Sequence, residues 1–113
     1  MRDPKERLRN IVDAIKSIQR HTKGGRENYD RQELIQAWCA LHLQNIGDAA
    51  KSLPREVREM APDLPWRRII DMRNILVHHY FQIDPELVWD AVESELPLLK
   101  ERIEEILAKL DQK

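Results

Sequence analysis

The 113-residue chain has one cysteine, three glycines and one phenylalanine, and it has no excess of charge of either sign. Each scarcity excludes something. A lone Cys39 rules out an internal disulfide and a cysteine-based zinc site. With 19 basic and 20 acidic side chains the formal net charge is −1, whereas a generic DNA or RNA coater carries a large basic excess. That balance leaves room for a local basic patch, and Arg55, Arg58, Arg67, Arg68 and Arg73 do gather in mid-sequence while Glu93–Asp111 is acid-rich. The first residues, Met1-Arg2-Asp3-Pro4-Lys5-Glu6, lack an apolar signal core. No apolar run approaches the length of a membrane span. Strand-like alternation of β-branched residues is absent too. The expectation is one all-α domain, residues 1–113, cytoplasmic, with no membrane contact.

What is present is helical periodicity. Asp3 followed by Pro4 is an N-cap and first-turn proline. The stripe Leu8, Ile11, Val12, Ile15, Ile18 carries helix one to about His21. Thr22-Lys23-Gly24-Gly25 predicts a break, and the stretch to Tyr29 reads as a loop. Helix two is expected from about Asp30 to Ser52. Its two adjacent stripes are Ile35, Cys39, Leu43, Ile46, Ala50, Leu53 and Leu34, Trp38, Leu41, Asn45, Ala49. Such a wide apolar face predicts packing between other helices or against a second copy of the chain. Asn45 reads as a satisfied core polar group, and His42 as a satisfied, partly buried histidine. Gly47 costs roughly 1 kcal/mol relative to alanine inside a helix, which a close helix approach would explain. A short helical piece, Arg55–Met60, lies between Pro54 and Pro62.

The central helix begins at Trp66, which reads as core, and holds Ile69, Ile70, Leu76 and Val77 on its apolar face. Arg73 falls within that face, where a charge is costly unless it is paired or has a task. Arg73 is therefore either a phosphate-binding cation or half of a buried ion pair with Asp48 or another acid. Asp84-Pro85-Glu86 opens the last helix, whose stripe Val88, Val92, Leu96, Leu99, Ile103, Ile106, Leu110 keeps its phase across Pro97. One long helix kinked at Pro97 is expected. Trp89 reads as core. The sum is an up-and-down bundle of four main helices with one short extra helix.

Arg73, four intervening residues, His78, one residue, Tyr80 matches the Arg-x4-His-x-Tyr motif of HEPN domains. The chain resembles in particular the HepT-like toxins, which pair with a minimal nucleotidyltransferase antitoxin. Pro65-Trp66, Met72-Arg73-Asn74, Leu76-Val77-His78, Val88-Trp89 and Leu96-Pro97 carry the likeness over nearly the whole chain. Ile46-Gly47-Asp48-Ala49-Ala50 belongs to it as well, with Asp48 where the family more often has Glu. The resemblance implies a HEPN-type four-helix fold, a homodimer, and metal-independent cleavage of RNA with no cofactor. It also implies that Tyr80 accepts AMP groups from ATP, attached by the partner nucleotidyltransferase.

The residues support that chemistry on their own terms. RNA carries its nucleophile, the 2′-hydroxyl, so an enzyme needs a base, an acid and a cation for the phosphorane charge. His78 can serve as acid or base near neutrality, and Arg73 can hold two phosphate oxygens. No acidic or cysteine cluster shows metal-ligand spacing. Asn74, one turn before His78, either orients it or only caps the helix, and His79 reads as a surface group. Five residues of ideal helix turn Arg73 and His78 about 140° apart. Either the helix distorts near its end or a twofold axis completes the site. A contrasting reading is a non-catalytic helical module that holds or assists a nucleotidyltransferase.

Overall fold

Helix α1, Pro4–His21, starts where its cap is written. The Asp3 carboxylate accepts a hydrogen bond from the backbone N–H of Lys5 at 3.0 Å, satisfying one of the donors a helix start leaves free. Its stripe is buried as expected, with Leu8, Ile11, Ile15 and Ile18 wholly enclosed. The computed structural model describes residues 3–78 and 84–112.

The stretch expected as a loop after the glycine pair is instead a second helix, α2, Gly25–Arg31. Gly25 has φ of +80°, a conformation glycine enters without strain, and helix resumes directly behind it. Tyr29 secures this short helix from afar. Its hydroxyl donates to the Pro85 carbonyl at 2.8 Å, and its ring lies 4.9 Å from that of Trp89. Arg26 adds an ion pair to Glu86 at 3.0 Å.

Helix α3, Glu33–Ser52, runs up the middle of the molecule, and a single turn, α4, Arg55–Arg58, follows. Helix α5, Trp66–His78, is anchored at its start by the Trp66 indole, which donates to the carbonyls of Arg58 (3.1 Å) and Ala61 (2.9 Å). Of its expected apolar face, Ile69 and Leu76 are buried while Trp66, Ile70 and Val77 are partly covered. Helix α6, Pro85–Ser94, opens with the Asp84 carboxylate accepting from the Glu86 N–H at 2.9 Å. Helix α7, Leu96–Asp111, is the last of the described helices.

The one long helix expected here, kinked at Pro97, is instead two helices: the chain breaks at Glu95, and Pro97 lies in the first turn of α7. A proline there forfeits no hydrogen bond, since first-turn N–H groups have no partner within the helix. The buried stripe nevertheless continues across the break through Val88, Val92, Leu96, Leu99, Ile103 and Ile106. α1 packs on α3 and α7, and α3 packs on α1, α5 and α6. The described residues are helices and their connections, an all-α bundle with no strand.

The second stripe of α3 does not behave as one face. Leu34 is 85% exposed and Leu41 49% exposed, while Ala49 is buried. Trp38, Asn45 and Ala49 line a groove of about 600 Å³ against α1. Leu41 lies on the other flank of α3, in an apolar groove of about 480 Å³ shared with Ala37, Ala40 and Leu76. Asn45 is exposed in the first groove, which corrects its reading as a core polar group.

Candidate active site

Arg73 reaches its place because Gly47 has no side chain. A Cβ built at residue 47 would stand 2.2 Å from Arg73 Cβ and 3.1 Å from the Ile69 carbonyl. The two helices cross with only hydrogen atoms between them at this point, so the residue after Gly47 can meet the arginine. Arg73 Nε donates to Asp48 Oδ1, and Arg73 Nη1 donates to Asn74 Oδ1 at 3.0 Å. The ion pair foreseen as the alternative role of Arg73 is therefore formed. It does not exhaust the guanidinium, because both hydrogens on Nη2 and one on Nη1 remain. A carboxylate on Nε and an amide oxygen on Nη1 fix the plane of the fork and leave Nη2, with both its hydrogens, able to meet an anion. The Arg73 side chain keeps 25% of its exposure and Asp48 keeps 44%, so the pair sits at the wall of the protein rather than inside it.

Asn74 has a different contact from the one expected. Its amide oxygen is taken up by Arg73, which makes it a positioning residue for the arginine. His78 is the last residue of α5, with an exposed side chain that makes no hydrogen bond among the described residues. α5 is α-helical throughout Trp66–His78, so the angle of about 140° between Arg73 and His78 holds within one chain. The structure thus gathers Arg73, Asp48, Asn74 and Gly47 and leaves His78 apart from them. Tyr80 and His79 lie outside the described residues. Among the described residues no three His, Cys, Asp or Glu side chains converge as metal ligands would.

Of the arginines clustered in sequence, Arg58 and Arg67 form no ion pair among the described residues, while Arg73 meets Asp48. Arg55 pairs with Glu59 and Arg68 with Glu95, both at 2.9 Å. His42 also departs from expectation. Its Nε2 is buried without a hydrogen-bond partner among the described residues, and burial, reinforced by the charge of His21, pulls its pKa below the ordinary histidine value. Sequence reasoning passed over the α1 side of the 600 Å³ groove. The signal was available as a polar stripe at helical spacing, Arg7, Asn10, Ser17, Arg20.

No helix among the described residues is long and apolar enough to cross a membrane. The family described as Ribonuclease HepT-like matches residues 11–106. A protein of Thermococcus cleftensis named "Probable ribonuclease HepT" is 31% identical over 106 residues, 93% of this chain and 96% of that one. A "Putative RNase" of Caldanaerobacter subterraneus is 31% identical over 110 residues, 96% of this chain and 98% of that one. A Methanocaldococcus jannaschii protein named "Gamma-glutamylcyclotransferase and putative RNase" is 35% identical over 112 residues, 98% of this chain but 50% of that longer one. No solved structure matches the chain at a significant level. A family match across most of the helices, together with two relatives aligned along nearly their whole length, places this chain in the HepT-like ribonuclease family.

Proposed function

We propose that this chain is a metal-independent endoribonuclease acting in the cytoplasm as the toxin of a toxin–antitoxin pair, with a minimal nucleotidyltransferase as antitoxin. The observation that carries the reading is the oriented guanidinium of Arg73, held by Asp48 through Nε and by Asn74 through Nη1 with Nη2 left over, on the same helix as an exposed His78. Arg73 neutralises the phosphorane charge as it develops, when that stabilisation lowers the barrier. A neutral histidine takes the 2′-hydroxyl proton, the 2′-oxygen attacks phosphorus, the bond from phosphorus to the 5′-oxygen breaks, and a protonated histidine gives its proton to that departing oxygen. The products are a 2′,3′-cyclic phosphate and a 5′-hydroxyl.

Because Arg73 and His78 diverge on one helix, a homodimer brings the arginine of one subunit toward the histidine of its partner. The exposed Leu34 and Leu41 of α3 and the end of α5 form the contact surface in this reading. Silencing follows when the Tyr80 oxygen attacks the α-phosphorus of ATP, pyrophosphate leaves, and a negative phosphodiester and adenosine stand beside the cationic site. One observation favours the alternative, a non-catalytic accessory module for the nucleotidyltransferase: Arg73 already has its carboxylate.

End-labelled RNA incubated with the purified protein in excess EDTA decides between them. Cleavage leaving a cyclic phosphate is expected, and His78→Ala is expected to lower its rate by about 10²–10⁴-fold. Cleavage by His78→Ala at the parent rate removes His78 from the chemistry. Intact mass after incubation with partner and ATP tests the control. Increments of AMP are expected on the parent chain and not on Tyr80→Phe. Increments that persist on Tyr80→Phe place the modification on another residue.

A further inference from the structure

The groove between α1 and α3 reaches as far as Asp48, the carboxylate of the Arg73 pair. His21, the last residue of α1, lies 5.3 Å from the Trp38 ring in the first half of α3, so the two helices run antiparallel. The α3 wall of the groove then passes His42 and Asn45 to Asp48, the residue that holds Arg73. Ten residues of helix separate Trp38 from Asp48, about 15 Å.

Trp38 is braced as a platform. His42 meets its ring edge-on at 4.4 Å, His21 tilts against it, and 38% of the tryptophan remains exposed. The His42 Nε2 is buried and has no hydrogen-bond partner among the described residues. Arg7 and Arg20 reach the groove from α1 and form no ion pair among the described residues, and Arg20 makes only a 3.4 Å contact to Ser17 Oγ. Of the two carboxylates lining the groove, Asp48 is met by Arg73 and Asp13 is left. One exposed aromatic ring, free guanidinium groups and side-chain amides along an open channel are the elements that bind single-stranded nucleic acid. A protein partner would sooner use the exposed Leu41 and the apolar groove on the other flank of α3.

We propose that this groove is a single-stranded RNA subsite, in which one base stacks on Trp38 while Arg20 and Arg7 hold the flanking phosphates and lead the strand toward Arg73. The proposal rests on the ribonuclease reading for its ligand. The groove would make the chain select unpaired RNA, because a stacked duplex base cannot present its face to the indole.

The test is the affinity of a fluorescently labelled single-stranded oligoadenylate for the full chain carrying His78→Ala, read by anisotropy. Adding Trp38→Ala is expected to weaken binding by about 5- to 150-fold, the range for loss of one base–aromatic stack. Trp38→Phe is expected to keep most of the affinity. Arg20→Gln is expected to weaken binding and to lower the slope of log affinity against log salt by about one. A duplex of the same length is expected to compete poorly. Unchanged affinity in both Trp38→Ala and Arg20→Gln overturns the proposal. So does a change of molecular mass on Trp38→Ala by light scattering, since Trp38 would then be a subunit contact. Should Trp38→Ala fail to fold, Arg20→Gln and Arg7→Gln decide alone. Weakened binding by these variants in a protein that never cleaves RNA would leave the subsite standing and remove the ribonuclease reading.

Discussion

The two ends of α5 differ sharply in how they are held. At the beginning the Trp66 indole donates to two carbonyls, Ile69 is buried, and Arg73 is gripped by Asp48 and Asn74 over a bare Gly47. At the end Ile75 is 40% exposed and His78 stands free of side-chain hydrogen bonds among the described residues. The difference separates two tasks. Holding a charge in one orientation needs fixed neighbours, which a single chain can supply. Moving a proton needs access to the substrate and a partner of opposite protonation state, and a lone histidine on the helix surface cannot be both acid and base at once. One end of the helix is thus fixed within the subunit, and the other is left exposed.

The contrast can be broken most forcefully by exchanging its halves. Arg73→Ala and His78→Ala are each expected to lower cleavage by about 10²–10⁴-fold. Only Arg73→Ala should also shift the melting temperature, since it strands Asp48, whereas His78→Ala should melt as the parent does. Mixing the two inactive variants is expected to restore part of the activity if each site draws on both subunits. Absence of any recovery in a mixed dimer confirmed by mass would confine the site to one chain.

Gly47→Ala tests the held end with a single methyl group. Helix propensity favours alanine by about 1 kcal/mol, but the added Cβ would overlap Arg73 Cβ, and neither atom sits on a flexible tip. Overpacking is expected to win, with a net loss of about 1–3 kcal/mol in denaturant titration. Cleavage should fall further than stability, because α5 must move and take the guanidinium with it. A variant more stable than the parent would show that the helix crossing accommodates a methyl group.

The two ends were not equally legible in the sequence. Asp3-Pro4 and Asp84-Pro85-Glu86 announced their helices because capping is decided within a few residues. Gly47 implied a close approach, and Asp48 was named as a possible partner of Arg73, since a charge in an apolar stripe demands one. α2 was hidden because Gly24-Gly25 reads as a breaker, and what holds the helix is Tyr29 bonded to a residue 56 positions away. The contact of Asn74 with Arg73 was also hidden, since neighbouring side chains on a helix ordinarily point apart. Asn45 and His42 were misjudged for a third reason. Whether a polar group on a wide face is covered depends on how α1 lies across α3, and no local rule reports that.

The smallest expected effect concerns His42. Its folded pKa lies below the ordinary value of 6.5, so in acid the unfolded chain binds more protons than the folded one. Stability is therefore full above that value and declines as the pH falls below it, levelling off below the folded pKa. Denaturation midpoints between pH 7 and about pH 5 should fall less for His42→Gln than for the parent. Identical curves would mean that His42 is not buried against Trp38 in solution.

Cys39 turns the lone thiol into a clock for the bundle. It is wholly buried on α3, and burial pushes its pKa up to about 11, so the folded chain offers almost no thiolate to a labelling reagent. Any modification at neutral pH must wait for the helices around it to part. The labelling rate therefore counts openings of the bundle, one reactive atom per chain, with no engineered tag. Repeating the count with RNA bound would show whether occupying the surface quiets the interior.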